Sequence, residues 1–266
     1  MEAGGPTLRD VIPDGQRDAR LGGAKNAVQT RRVLMVAGGT GGHVFPALAV
    51  ADELRARSAR PEVIGEGDPG RAGRSYHVEF LGTKRGLDSR ILSSAGFPFR
   101  TISGAGLKGL EGLRRIRNLL ILPRSAIETA LVLRELQPDV VMGLGGYIAG
   151  PAMLQASLSD IPTLLMEPNA VPGFTNRVLA PVVRLAALGF EDAARFYGPK
   201  ARVTGHPVRR TFFEIAHKQH APPFTVLIFG GSQGSAAINS CVVKGLHLLF
   251  SRATGLRIIH QNLIAV

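Results

Sequence analysis

One pattern, repeated three times, constrains this chain more than any other. An apolar run ends in a glycine-rich turn and a helical pattern follows, over residues 33–58, 139–158 and 225–250. The turns read GGTGGH (38–43), GGYIAGP (145–151) and GGSQGS (230–235). Short apolar runs suit strands buried on both faces. Strands that alternate with helices through short loops form a parallel sheet with helices on both sides. Other strands are predicted over 76–82 and 97–102, and the first repeat is predicted to hold a strand at 33–37 and a helix at 44–58. Pro46 then falls in the first turn of that helix, where proline is tolerated. Residues 86–96 read as a short helix closed by a glycine cap, and 123–136 as a long helix. Residues 61–75 (PEVIGEGDPGRAGRS) read as a loop insertion. After the proline-rich break HAPPFT the pattern restarts, so four regions are expected: a leader (1–31), a first α/β domain (32–205), a linker (206–223) and the start of a second domain (224–266).

Charge narrows the partners. The 266 residues carry a formal net charge of +12, a field that draws nucleic acid, anionic membrane or phosphorylated substrates. Tryptophan is absent and aromatics are 6%, so stacking platforms for bases are sparse and nucleic acid is not expected as a partner. A single cysteine excludes an intramolecular disulfide. No apolar run reaches the roughly 20 residues that span a bilayer, and the leader has no apolar signal core. Its four carboxylates (Glu2, Asp10, Asp14, Asp18) argue against a transit peptide.

The glycine turns carry the chemistry. In a doubly wound sheet, ligands bind at the carboxyl ends of the strands. Glycine lets the main chain approach a phosphate there, and the helix behind offers unpaired N–H groups and a partial positive charge. Any one such turn also serves as a plain tight connection; three in register with three strands favour anion binding. The dinucleotide fingerprint G-x-G-x-x-G does not fit the spacing, and no turn contains the G-K-[ST] of a phosphate loop.

The order GGTGGHVFPALAVADEL, TKRGLDSRI, AGFPF, PDVVMGLGGYIAGP, EPNAVPGFTNRVLA, GHPVR and FGGSQGSAAIN closely resembles the peripheral membrane glycosyltransferases of family 28 that make lipid II in peptidoglycan synthesis. The likeness runs from about residue 32 to residue 261. It implies an α/β protein of GT-B type: a Rossmann-like N-terminal domain with a parallel sheet, and an incomplete second Rossmann-like domain. It also implies transfer of N-acetylglucosamine from UDP-N-acetylglucosamine (UDP-GlcNAc) to undecaprenyl-linked lipid I, at the cytoplasmic side of the cell membrane. No cofactor and no metal ion are implied. The second domain of the family continues well past GGSQG, whereas here IIHQ is followed by NLIAV. Weak donor binding is therefore expected, and a catalytically inactive fragment that binds the lipid pyrophosphate or the membrane is the alternative.

By this resemblance the first two turns (Gly39, Thr40, Gly41 and Gly42 in the first) take the lipid pyrophosphate, and the third, with Ser232 and Gln233, takes the UDP phosphates. His43 reads either as a solvent-facing residue at the helix start or as a neutral imidazole acting as base or pyrophosphate contact. Glu167, expected in a loop after a strand, reads either as a solvated carboxylate or as the group that activates the attacking hydroxyl, with Asn169 bonding the sugar. Tyr147 is a site residue or a packing residue. Arg209 matches a nucleotide-contacting arginine or is a surface arginine, and Asn239 matches a polar family position or is a helix asparagine. Three positions depart from the family: Pro168 stands where glutamine is usual, Ala149 where serine is, and His206 where asparagine is. Residues 104–122, which mix Leu and Ile with Lys108, Arg114, Arg115 and Arg117, suit the anionic inner membrane surface as a partner, with other cell-wall enzymes as further partners.

Overall fold

The computed structural model describes residues 29–38, 41–59, 74–83, 87–104, 121–217, 221–231, 234–252 and 255–261. The leader up to residue 28, the basic segment over 105–120, Gly39, Thr40, Ser232 and Gln233 lie outside the described residues. Two compact units emerge, Met1–Phe212 and Phe213–Val266.

The first unit is a seven-stranded parallel sheet. Its strands are β1 (Gln29–Val36), β2 (Arg74–Gly82), β3 (Phe99–Thr101), β4 (Val140–Gly143), β5 (Thr163–Glu167), β6 (Leu185–Leu188) and β7 (Ala201–Val203), in the spatial order β3-β2-β1-β4-β5-β6-β7. The helices are α1 (Gly41–Ala59), α2 (Leu87–Ser94), α3 (Ile121–Leu136), α4 (Ala149–Leu158) and α5 (Phe174–Leu179). The alternation within β1 shows how the sheet is clad. Leu34 and Val36 join one core cluster with Leu133, Leu136, Ala152, Met153 and Leu179, from α3, α4 and α5. Val33 and Met35 join the other, with Val44, Ala47 and Ala51 of α1 and Leu92 of α2. A strand residue thus faces one helical layer and its neighbour the opposite one, the period of two expected of a sheet buried on both faces.

Chain order reverses between β1 and β4. From β1 the chain works outward to β2 and β3 under α1 and α2. It returns through α3 to β4 and then works outward the other way. Right-handed crossovers demand that the helices change face at such a reversal.

Several boundaries differ from the sequence reading. β1 starts four residues before Val33, because its polar beginning pairs with β2 from Gln29↔Arg74 onward and is tied to the start of β4. The main-chain N–H of Arg32 donates to Asp139 (2.8 Å), and the Arg31 guanidinium lies 3.5 Å from the same carboxylate. β3 is shorter than its apolar run. α1 starts at Gly41, so Pro46 sits inside it rather than in its first turn. α2 ends as expected, with Gly96 at φ +68°. The Arg55 guanidinium also donates to the carbonyls of Ala95 and Gly96 while stacking 3.5 Å over the Phe97 ring. The 3-10 turns at Glu191–Phe196, Gly198–Lys200 and Arg210–Phe212 carry no sequence signal of comparable strength.

The second unit holds β8 (Phe224–Phe229), α6 (Ala236–Arg252) and β9 (Leu256–Gln261), with β8 and β9 paired in parallel from Phe224↔Leu256 to Phe229↔Gln261. Phe224, Leu227, Phe229, Val243, Leu248 and Phe250 are all exposed. Two strands and one helix leave apolar faces uncovered.

Candidate functional site

Three strand ends meet at the point where strand order reverses. β1 runs out through Ala37 and Gly38 into α1, β4 through Leu144 into Gly145 and Gly146, and β5 ends on Glu167. Both glycines after β4 take left-handed conformations, φ +94° and +81°, which L side chains rarely adopt. They are also pressed against the first turn. A Cβ on Gly146 would lie 2.6 Å from the Gly38 carbonyl oxygen. A Cβ on Gly145 would lie 3.1 Å from Nε2 of His43 and 3.4 Å from Oδ1 of Asn176.

His43 stands in the first turn of α1, half-buried, and its ring hydrogen-bonds the Gly38 main chain. Burial is the dominant influence and pulls its pKa below 6.5; the Glu167 charge and the Gly38 bond act in the opposite direction without overcoming it. The imidazole is therefore neutral at pH 7. A histidine of this kind binds fewer protons folded than unfolded. Its contribution to stability is fully present above pH 6.5 and is lost as pH falls from there toward the lowered value. Urea unfolding across this range is expected to show a slope that His43→Gln flattens. An unchanged slope in that variant would mean the ring is solvated.

Glu167 is neither in a loop nor solvated, which corrects the sequence expectation. It is the last residue of β5 and has no exposed surface. Oε1 accepts from the main-chain N–H and the side-chain amide of Asn169, both at 2.9 Å. Oε2 accepts from the Gly173 N–H at 3.2 Å and from Nδ2 of Asn176 at 2.8 Å. The loop 168–173 is thus wound around one carboxylate. Pro168 fits because none of these bonds calls on its missing N–H. Asn169 is held by Glu167 rather than presented alone.

Asn176 was not singled out from the sequence. It lies in the first turn of α5, and Leu179 three residues on is also buried. A polar amide on the buried side of a short helix is the signal that could have marked it, since buried polar groups need partners. Nδ2 has two acceptors, Oε2 of Glu167 and the Met166 carbonyl (3.3 Å). Oδ1 is buried with no hydrogen-bond partner among the described residues.

The other candidates are distributed around this centre. Tyr147 is half-buried and packs against the core, its ring 3.0 Å from where a Cβ on Gly104 would sit. Arg209 is exposed, with its guanidinium over the rings of Phe45 (5.3 Å) and Phe212 (5.5 Å). Phe45 is two residues beyond His43 on α1, so Arg209 is near the first glycine turn. Asn239 belongs to the second unit, where its Oδ1 lies 2.9 Å from Nε2 of His260. Gly41 and Gly42 open α1.

A parallel sheet clad on both faces, with phosphate-type turns at its reversal point and a second strand-turn-helix unit following, is the architecture of the GT-B transferases. The chain belongs to glycosyltransferase family 28, whose N-terminal domain matches residues 33–68 and 72–187. It is 42% identical over 235 residues to the UDP-N-acetylglucosamine–N-acetylmuramyl-(pentapeptide) pyrophosphoryl-undecaprenol N-acetylglucosamine transferase of Anaeromyxobacter sp. (strain Fw109-5), covering 87% of this chain and 58% of the relative. The enzyme of the same name from Myxococcus xanthus (strain DK1622) is 38% identical over 234 residues, covering 87% and 57%. Among solved structures, Acinetobacter baumannii MurG superposes with a TM-score of 0.63 at 32% identity, covering 87% of this chain and 60% of that one. The chain thus spans a little under three fifths of the length of these two enzymes.

Proposed function

We propose that these residues form the acceptor side of a transferase that moves N-acetylglucosamine from UDP-GlcNAc to the undecaprenyl-pyrophosphoryl-N-acetylmuramoyl-pentapeptide. The observation that carries this reading is the close apposition of the Gly38 and Gly145–Gly146 turns, with a neutral imidazole between them at a helix N-terminus. Main-chain amides and the α1 dipole would hold the lipid pyrophosphate. His43 would accept the proton of the acceptor hydroxyl as its oxygen attacks the anomeric carbon, and the UDP oxygen would leave with the bonding pair. Glu167 is assigned a positioning role, because both of its oxygens are engaged in ordering loop 168–173.

By the family likeness, the third turn, with Ser232 and Gln233, is assigned to the UDP phosphates, Arg209 to the nucleotide, and Asn239 to substrate binding. Residues 104–122 are assigned to the anionic cytoplasmic leaflet. Among the described residues no helix is long and apolar enough to cross a membrane. The segment leads into α3, whose exposed Ile127 and Leu131 are four residues apart and so share one face. The alternative is a binder of the lipid pyrophosphate or the membrane without transfer.

Co-sedimentation with anionic vesicles, with and without a lipid I analogue, joined to a radiolabel transfer assay from UDP-GlcNAc, tests both. Salt-sensitive vesicle binding that tightens with the analogue, together with labelled product, is expected of the transferase. Binding to the vesicles or to the analogue without product leaves the second reading, and absence of both kinds of binding overturns both.

A further inference from the structure

Arg209 is held by rings. Its guanidinium carbon lies 5.3 Å from the centre of the Phe45 ring and 5.5 Å from that of Phe212, both within cation–π range. The two rings come from different parts of the first unit. Phe212 closes the 3-10 turn Arg210–Phe212, where its main-chain N–H donates to the Arg209 carbonyl at 3.0 Å. Phe45 comes from α1, about one helical turn beyond Gly41. A helical side chain leans back over the turn N-terminal to its own Cα, so the Phe45 ring belongs to the end of α1 that carries the first glycine turn. Both rings keep much exposed surface, 39% for Phe45 and 54% for Phe212, so their own burial contributes little here.

Other arginines of the chain are held differently. Arg57, Arg100 and Arg124 are each gripped by a glutamate. A carboxylate holder neutralises the cation and takes the N–H groups that an anionic ligand would need. An aromatic holder does neither. It attracts the cation through its π face and leaves the five guanidinium hydrogens to ordinary acceptors. Among the described residues no hydrogen bond or ion pair engages the Arg209 guanidinium. We propose that Phe45 is a positioning residue for Arg209. With Phe212 it holds the guanidinium at the first-turn end of α1, while the charge and its donors stay available to a nucleotide diphosphate. Restricting a long side chain before the ligand arrives lowers the entropy lost on binding. The pairing also ties an arginine assigned to the nucleotide to the helix that bears His43.

This inference rests on the reading of Arg209 as a nucleotide contact, so the pair and the ligand are measured separately. Proton–nitrogen NMR of the arginine Nε–H groups, with Arg209 assigned by its loss in Arg209→Ala, reports the rings as an upfield displacement. Phe45→Leu is expected to move the Arg209 signal toward that of a solvated arginine. Phe45→Tyr keeps the ring and is expected to keep the displacement. Titration with UDP reports the ligand. Phe45→Leu is expected to weaken UDP binding about two- to fivefold, the scale of one exposed cation–π contact, and Phe45→Tyr to restore it. In an Arg209→Ala chain, Phe45→Leu is expected to add no further loss. A folded Phe45→Leu chain with an unmoved Arg209 signal overturns the proposal. So does an equal loss of UDP binding with and without Arg209, because a loosened α1 would act whether or not the arginine is there. Where Arg209→Ala weakens UDP binding and Phe45→Leu does not, the proposal is likewise overturned. Should Phe45→Leu not fold, the wild-type signal decides: an Arg209 resonance at the solvated position overturns the proposal and a displaced one supports it. If Arg209→Ala leaves UDP binding unchanged, the nucleotide assignment falls, and the displacement alone decides whether Phe45 holds Arg209.

Discussion

Replacing Glu167 with alanine is expected to cost about 3 kcal/mol of unfolding free energy and to abolish lipid-pyrophosphate binding. The estimate follows from what the carboxylate holds. A hydrogen bond to a charged group is worth about 1.5–3 kcal/mol, and a buried amide left unpaired adds to the loss. Of the donors on Glu167, Asn169 and Gly173 are exposed and can turn to water, but Asn176 is buried and cannot. Loop 168–173 would lose its centre, and Asn176 would be released from the direction it now keeps. Glutamine is not a remedy. Every neighbour of the carboxylate offers a hydrogen, so an amide brings one donor where only acceptors are wanted. Chemical denaturation and vesicle binding of Glu167→Ala and Glu167→Gln measure both effects. A glutamine variant with wild-type stability would refute this account of the loop.

The second large effect is expected at Gly146. Alanine there must adopt φ near +81° and place a methyl group 2.6 Å from the Gly38 carbonyl oxygen. The left-handed conformation alone costs about 1–2 kcal/mol for a residue with a side chain. The clash is with main chain, so no rotamer relieves it. Either the first turn moves away from the second or the β4 turn opens, and each outcome separates the two sets of amides. Gly146→Ala is expected to weaken binding of the lipid pyrophosphate more than tenfold and to lower the unfolding midpoint. Gly173→Ala is the control: its Cβ would have nothing within 4 Å, and its backbone is extended (φ −62°, ψ 159°). If Gly146→Ala binds as tightly as the control, the apposed turns are not the anion site.

Much of this could be read from the residues before any coordinates. Apolar runs ending at glycine located β1 and β4, because such runs are local and their sheet buries both faces, and the same pattern located β8, whose residues lie largely exposed. His43, Glu167 and the three turns stood out because unusual residue types sat at strand ends. What escaped the reading was set by distant neighbours. The start of β1 is polar, and partners far along the chain, β2 and Asp139 more than a hundred residues away, make Arg31 and Arg32 part of a strand. Glu167 looked like a loop carboxylate because its donors are spread over residues 169–176 and close on it only when the loop folds back. Arg209 carries no mark of its pairing with Phe45, which depends on where the chain goes after β7. Asn176 was legible only as an asparagine in a short helix, and its place in the site comes from the bond its amide makes to the buried Glu167 carboxylate.

The reversal of strand order between β1 and β4 has a consequence for how the meeting of the two turns endures. Two helices that set out from adjacent strands toward opposite sides must diverge, so the pairing of the turns at their point of departure is built by the routing of the chain rather than by any one side chain. To undo it would require a different path for the polypeptide.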